Sequence, residues 1–339
     1  MTSVSAKTPE WRNVDRDVFY NEIVPANRPA VLKGLVANWP AVRAGAQSPQ
    51  AMNQYLQGFD INRPFVTLIG DPAIKGRFFY RDDLKGVNFE RRREAFAVSM
   101  DRLLGLVDAP NPPSVFIQSA AIRDHLPAFE AQNRLDLLDD VAQRIWIGNS
   151  VVVQTHFDPF DNIACVVAGQ RRFTFFPPEQ FANLYAGPLD ATPSGAPVSM
   201  VSLLEPDFER FPRFAQALEA AESAELEAGD GVYIPYFWWH HVQSLSRFNV
   251  LINYWWNDAK AFLGSPFDCL LHAVLSLREL PPRQRDVWRM MFEHYIFQGG
   301  GEPLAHLPVE QRGMMGPLTP ERAQSIRADL ARLLGSRPG

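Results

Sequence analysis

Between Arg144 and Asn257 the chain passes through a series of short β-branched and aromatic stretches: "RIWIGNS", "SVVVQTHF", "NIACVVAG", "RRFTFFP", "AELEAGDGVYIP" and "FNVLINYWW". Gly, Pro, Asn and Asp separate them, and closely spaced strands with turn residues between them predict an all-β sandwich or barrel. The stretch "YAGPLDATPSGAPVSMVSLLEPDFERFPRF", Tyr185 to Phe214, interrupts the series and is too long for a tight turn. Loops of that length commonly rim a site.

The flanks read differently. "RPAVLKGLV" (Arg28 to Val36), with Pro29 and Gly34 inside it, and "SVFIQS" (Ser114 to Ser119) are short strands, whereas "AFAVSMDRLLGL" (Ala95 to Leu106) repeats apolar residues at helical spacing. "RLDLLDDVA", from Arg134, is also expected to be helical. After Ala261 come two apolar-striped helices, "PFDCLLHAVLSLRELP" and "PRQRDVWRMMFEHYIF", separated by Pro281 and Pro282. A last helix opens with Thr319 as N-cap and Pro320 at its first position. The expected organisation is an α+β N-terminal region over 1–110, a β core over 111–260 and a helical region over 261–339. The striped helices would cover a sheet edge or pair with a second subunit, making a homodimer.

With 339 residues, 46% hydrophobic and 21% charged, the chain is long enough for a substantial core. A formal net charge of -5 argues against broad electrostatic capture of nucleic acid or an anionic membrane. "ERRRE" (Glu90 to Glu94) reads as a solvated, self-neutralising face. Two cysteines, Cys165 and Cys269, are too few for a disulfide framework. Neither a signal-peptide pattern nor an apolar run of about 18 residues is seen, so the expected setting is cytoplasmic, with no membrane partner.

His156 and Asp158, in "VVVQTHFDPFDN", are costly to bury without partners. Two apart on a strand, they would share a face. His240, in "AGDGVYIPYFWWHHV", is the best third ligand. Two histidines and one carboxylate on one face of a metal form the facial triad of non-haem Fe(II) oxygenases, although a zinc hydrolase uses the same ligand types. His125, His272, His294 and His306 lack a matching carboxylate and are read as ordinary surface or core residues.

From "THFDPFDNIACVVAGQRRFTFFPPEQFANLY" through "PDFERFPRF" to "ELEAGDGVYIPYFWWHHVQSLSRFNVLINYWW", and in "RPAVLKGLVANWPAV", the chain resembles the cupin-like branch of the JmjC-type 2-oxoglutarate oxygenases. That resemblance implies a double-stranded β-helix (jelly-roll) core, with Fe(II) held by His156, Asp158 and His240. It implies 2-oxoglutarate as co-substrate beside O₂, its distal carboxylate on Arg171 where the family usually has lysine. Asn162 and Asn253 match asparagines lining the co-substrate pocket. Phe116 stands where the family has a tyrosine and Val153 where it has a threonine, so two hydroxyl contacts are missing. Gln118 falls where the family has a polar substrate-side residue. Trp238, Trp239, Trp255 and Trp256 read first as core and pocket-wall residues, with substrate stacking, by Trp239, as a secondary role.

The function so implied is hydroxylation of a protein side chain, with oxidative decarboxylation of 2-oxoglutarate to succinate and CO₂. Small molecules or an RNA nucleotide are alternative substrates, and a non-catalytic cupin-type binding module is the alternative from another class. Intact His156, Asp158 and His240 favour the enzyme over that module.

Overall fold

The computed structural model describes Val4 and residues 6–193, 195–298 and 300–335. Its strands are β1 (Ala6–Lys7), β2 (Glu10–Arg12), β3 (Ala30–Lys33), β4 (Phe65–Gly70), β5 (Phe89–Glu94), β6 (Ser114–Ala121) and β7 (Gln143–Gly148). There follow β8 (Val152–His156), β9 (Asp161–Ala168), β10 (Arg171–Phe176), β11 (Glu222–Leu226), β12 (Gly231–Ile234), β13 (Trp239–Ser244) and β14 (Asn249–Trp256). They form a five-stranded sheet in the order β1-β11-β10-β13-β8 and a nine-stranded sheet in the order β2-β3-β12-β9-β14-β7-β6-β4-β5.

The two sheets face each other. Phe173, Phe175 and Val242 from the smaller sheet pack with Ala164, Val166, Val232, Ile234 and Leu251 from the larger. Alternate residues of the larger sheet, including Ile163, Cys165, Val167, Ile252 and Tyr254, turn to its other side. There they meet Ala41 and Val42 of helix Pro40–Gln47, Met52 and Leu56 of helix Pro49–Gln57, and Met100 and Leu103 of helix Phe96–Gly105. With both faces covered, β9 is buried along nearly its whole length, which is why its sequence is a continuous apolar run. The outer side of the smaller sheet carries Phe176 and Trp239, covered by Phe157, Leu184, Val201, Leu203 and Phe214 from the loops and the Tyr185–Phe214 insertion.

The expected β core and flanking helices are observed, and "ERRRE" is β5, an exposed edge strand whose charges leave its free edge unattractive for pairing. One element differs. "RLDLLDDVA" is not a helix: helix Phe129–Gln132 ends before it, and an irregular segment follows until β7. Leu135, Leu137 and Leu138 enter the core, while Asp139 and Asp140 are drawn outward to Arg16 and Arg123. The Asn133 side chain seals the preceding helix end, accepting from the Ala41 amide and donating to the Phe129 carbonyl. Tertiary partners thus override a local helical pattern.

Residues 258–339 form a separate unit. Its helices Pro266–Leu277 and Pro282–Phe292 have no buried side chain, and Thr319 caps helix Pro320–Gly335 through the Arg322 amide. No helix among the described residues is long and apolar enough to cross a membrane.

Asp230, in the turn before β12, ties the N-terminal region to the core. Its buried carboxylate accepts from the Gly34 amide at 2.9 Å, the Glu227 amide at 3.1 Å and Lys33 Nζ at 2.5 Å. Asp230→Ala leaves these donors unmatched and should lower unfolding free energy by about 3 kcal/mol, measured by urea denaturation. A loss below about 1 kcal/mol would show that water replaces the carboxylate.

Candidate metal centre and its pocket

His156 closes β8 and His240 lies near the start of β13, directly opposite it in register. A shift in that register between His240 and Val242 places two residues of β8, Gln154 and Thr155, against one of β13. This is a β-bulge, a device that re-aims a side chain near a site. Because of it, Val153 and His156, three apart, both line the pocket between the sheets. Asp158 lies beyond the end of β8, not on the strand as alternation predicts. The Phe237 amide donates to its carbonyl and holds the turn in place.

The ligand atoms of His156, Asp158 and His240 lie within 4.8 Å of one another, with His240 Nε2 3.6 Å from Asp158 Oδ2. Each imidazole is oriented by a backbone carbonyl: His156 Nδ1 by Gln154 O at 2.8 Å and His240 Nδ1 by Trp238 O at 3.0 Å. A carbonyl only accepts, so both rings carry their proton on Nδ1, and Nε2 presents its lone pair to the centre. Burial, with His156 alongside, pushes the His240 pKa down to about 4, so that ring is neutral at physiological pH. Two imidazoles whose Nε2 atoms face the centre and one carboxylate, with one side left to a pocket, fit a divalent first-row metal.

Arg171, at the start of β10, lines the same pocket. Only 1% of it is exposed, and its Nε and Nη2 have no hydrogen-bond partner. Burial alone pushes its pKa down to about 10, which leaves it a cation at neutral pH. A buried, unmatched guanidinium is costly and calls for an anion of fork geometry, a carboxylate foremost. The residues therefore fit a 2-oxo acid as well as a metal. Asn253 accepts from Trp146 Nε1 at 2.7 Å and donates to Asn162 Oδ1 at 3.3 Å, which fixes both amides on the pocket wall. The rest of the wall is apolar and includes Phe116, Val153, Phe173, Val242, Leu251 and Trp255. Phe116 stacks between Phe78 and Trp146.

The structure thus brings His156, Asp158, His240, Arg171, Asn162, Asn253 and Phe116 into one pocket. Gln118 lies outside it, on an adjoining cavity that shares Phe116 and Val153. Trp239 is placed wrongly by the sequence reading. Next to His240 on a strand, it must point to the opposite face, and it is fully buried against Phe157 and Phe181. The indole that does reach the pocket is Trp255, stacked under half-exposed Phe160 with Trp146 at its edge. Alternation with Asn253 along β14 is the signal that marks it. His241 likewise points away, near Thr155.

A family model for the cupin-like domain matches residues 16–262. The chain is 25% identical over 269 residues to the human bifunctional peptidase and (3S)-lysyl hydroxylase JMJD7, covering 70% of this chain and 80% of that protein. It is 22% identical over 311 residues to the chicken (Gallus gallus) tRNA wybutosine-synthesizing protein 5, covering 84% and 92%. Against the Arabidopsis thaliana lysine-specific demethylase JMJ31 it is 36% identical over 104 residues, which span 31% of this chain and only 18% of that protein. The chain belongs to the cupin-like family, in its JmjC-type Fe(II)- and 2-oxoglutarate-dependent oxygenase branch.

Arg171→Met removes an unmatched buried charge and keeps an unbranched apolar stem. The variant without co-substrate should melt no lower than the wild type. At a hundredfold excess over Kd, 2-oxoglutarate should stabilise the wild type by about 2.7 kcal/mol and the variant hardly at all, as read by thermal shift. An equal shift in both proteins would remove Arg171 from the co-substrate site.

Proposed function

We propose that the protein is a hydroxylase of a protein or peptide side chain, using Fe(II), 2-oxoglutarate and O₂. The observation that carries this reading is the convergence, in one pocket, of a His-Asp-His donor set and a buried guanidinium without a counter-ion. A zinc hydrolase would leave Arg171 without a role. The names of two relatives, a lysyl hydroxylase and a lysine-specific demethylase, support a protein target, and a tRNA-modifying relative keeps an RNA nucleotide as second reading.

His156, Asp158 and His240 would hold the iron, and the metal would supply activation of O₂ coupled to decarboxylation of the 2-oxo acid. The rest of the work belongs to the chain. Arg171 grips the distal carboxylate with paired N–H donors, and the Asn162 and Asn253 amides provide a polar wall alongside. Phe116, Val153, Phe173 and Leu251 keep water from the space between the sheets. The carbonyls of Gln154 and Trp238 keep both ring protons off the metal-facing nitrogens.

A homodimer through residues 261–339 is also proposed. Leu275, Met290 and Phe297 are 78%, 63% and 70% exposed, and Leu271, Val287 and Leu334 about half exposed. Apolar surface on that scale calls for cover. A cytoplasmic setting is our reading of two cysteines that are both free.

With Fe(II) and ascorbate, the protein should convert 2-oxoglutarate to succinate, slowly without its substrate, and Asp158→Ala should reduce this to the metal-free background. Succinate formation by Asp158→Ala at the wild-type rate would defeat the proposal. Leu275→Asp with Phe297→Asp should shift the protein from dimer to monomer in sedimentation. A wild-type monomer would refute the dimer.

A further inference from the structure

Arg77 lines a groove of about 530 Å³ outside the metal pocket, together with Lys75 and Arg81. None of the three is in an ion pair among the described residues. Arg81 is tied to the backbone, its Nε donating to Val87 O at 3.0 Å, whereas Arg77 is held by side chains on two sides. Arg77 Nε donates to Gln154 Oε1 at 3.2 Å, and its guanidinium lies 4.1 Å over the Phe79 ring. Gln154 is itself fixed, since its Nε2 donates to the carbonyls of Ser199 and Val201 in the insertion. The terminal nitrogens of Arg77 make no hydrogen bond among the described residues, although the side chain is about half-buried. A guanidinium so held is a preorganised fork for a carboxylate.

This fork is tied to the strand that carries the metal ligand. Arg77 forms a parallel bridge with Val152, and the Val152 amide donates to Gly76 O at 2.9 Å. Val152 precedes His156 on β8. The groove meets the cavity carrying Gln118 at Val152, and that cavity shares Phe116 and Val153 with the metal pocket. Three neighbouring cavities that share wall residues thus lie along β8 between Arg77 and the metal centre. From Val152 to His156 is roughly 13 Å of strand, the length of about four residues of extended peptide.

We infer that Arg77 anchors an acidic side chain of the substrate peptide, about three to five residues from the residue that is oxidised. This rests on the proposed hydroxylase function and names the class of substrate it takes. A peptide is favoured over RNA because Asp82 and Glu205 line the same groove and repel a run of phosphates, while a single carboxylate can settle between the cations.

The test offers randomised dodecapeptides to the full-length protein with Fe(II) and 2-oxoglutarate, identifies oxidised products by mass spectrometry, and runs a random RNA oligonucleotide pool in parallel. In the wild type, oxidised peptides should be enriched in Asp or Glu at a fixed offset from the modified residue. Arg77→Ala should weaken the turnover of those peptides about ten- to hundredfold through KM, and Arg77→Lys should restore part of it. Co(II) and 2-oxoglutarate binding, measured on the same variant, should match the wild type. A loss of either would mean that Arg77 acts through Gln154 on His156, and would overturn the anchor. So would products with no acidic preference, a preference that survives Arg77→Ala, Arg77-dependent oxidation of the RNA alone, or succinate formation with no peptide oxidised. Absence of any wild-type succinate would instead defeat the hydroxylase reading itself.

Discussion

The structure depends on one constraint: the central strands of the sandwich are covered on both faces, so every second side chain they carry must enter a dry space between two sheets. In β9, β10, β13 and β14 that space receives Ala164, Phe173, Val242 and Leu251, which stabilise the fold by burial of apolar area. The same register positions also receive Asn162, Arg171, His240 and Asn253. These polar groups cannot be solvated there, and each is matched within the chain or awaits a ligand. The two asparagines satisfy each other and Trp146; His240 is turned by Trp238 O and kept neutral by burial. Arg171 is the charged group of the set whose nitrogens, Nε and Nη2, have no partner among the described residues. The folding pattern therefore creates the binding site, because what is left unmatched defines what must bind.

Alternation also explains how far the sequence could be read. It marks Asn253 and Trp255 as sharing a face with Leu251, and it should have excluded Trp239, which neighbours His240 and must face away. It misleads at "THFD", where the expected two-residue spacing on one strand is replaced by a bulge at Gln154 and Thr155, with Asp158 beyond the strand end. No local pattern announces a bulge, because it arises from how β8 pairs with β13. The segment "RLDLLDDVA" fails for a related reason: its aspartates answer to Arg16 and Arg123, which lie far away in sequence.

Arg171, Phe116 and Val153 belong to one argument. The resembled family has a lysine and two hydroxyl-bearing residues at these positions, and here both hydroxyls are absent. A lysine ammonium is a point charge that relies on neighbours to orient its partner, whereas a guanidinium presents parallel N–H bonds that orient a carboxylate unaided. Moving the recognition into a single side chain lets the wall become apolar, and Phe116 uses the space to stack on Phe78 and Trp146.

The insertion from Tyr185 to Phe214 is more than a rim. Val198 bridges His156, and the Ser199 amide donates to Thr155 O, so the insertion continues the smaller sheet beside the bulged end of β8. Gln154 reaches across to the carbonyls of Ser199 and Val201 while its own carbonyl orients His156. The far end of the loop is held by Tyr80, which donates to Ala191 O, and by Arg91, which donates to Pro193 O. Tyr80 lies three residues beyond Arg77, and Arg91 is on β5. The metal ligand, the loop and the outer groove are thus joined by hydrogen bonds to short strands rather than by loop contacts alone, which limits how far any one of them can move without the others.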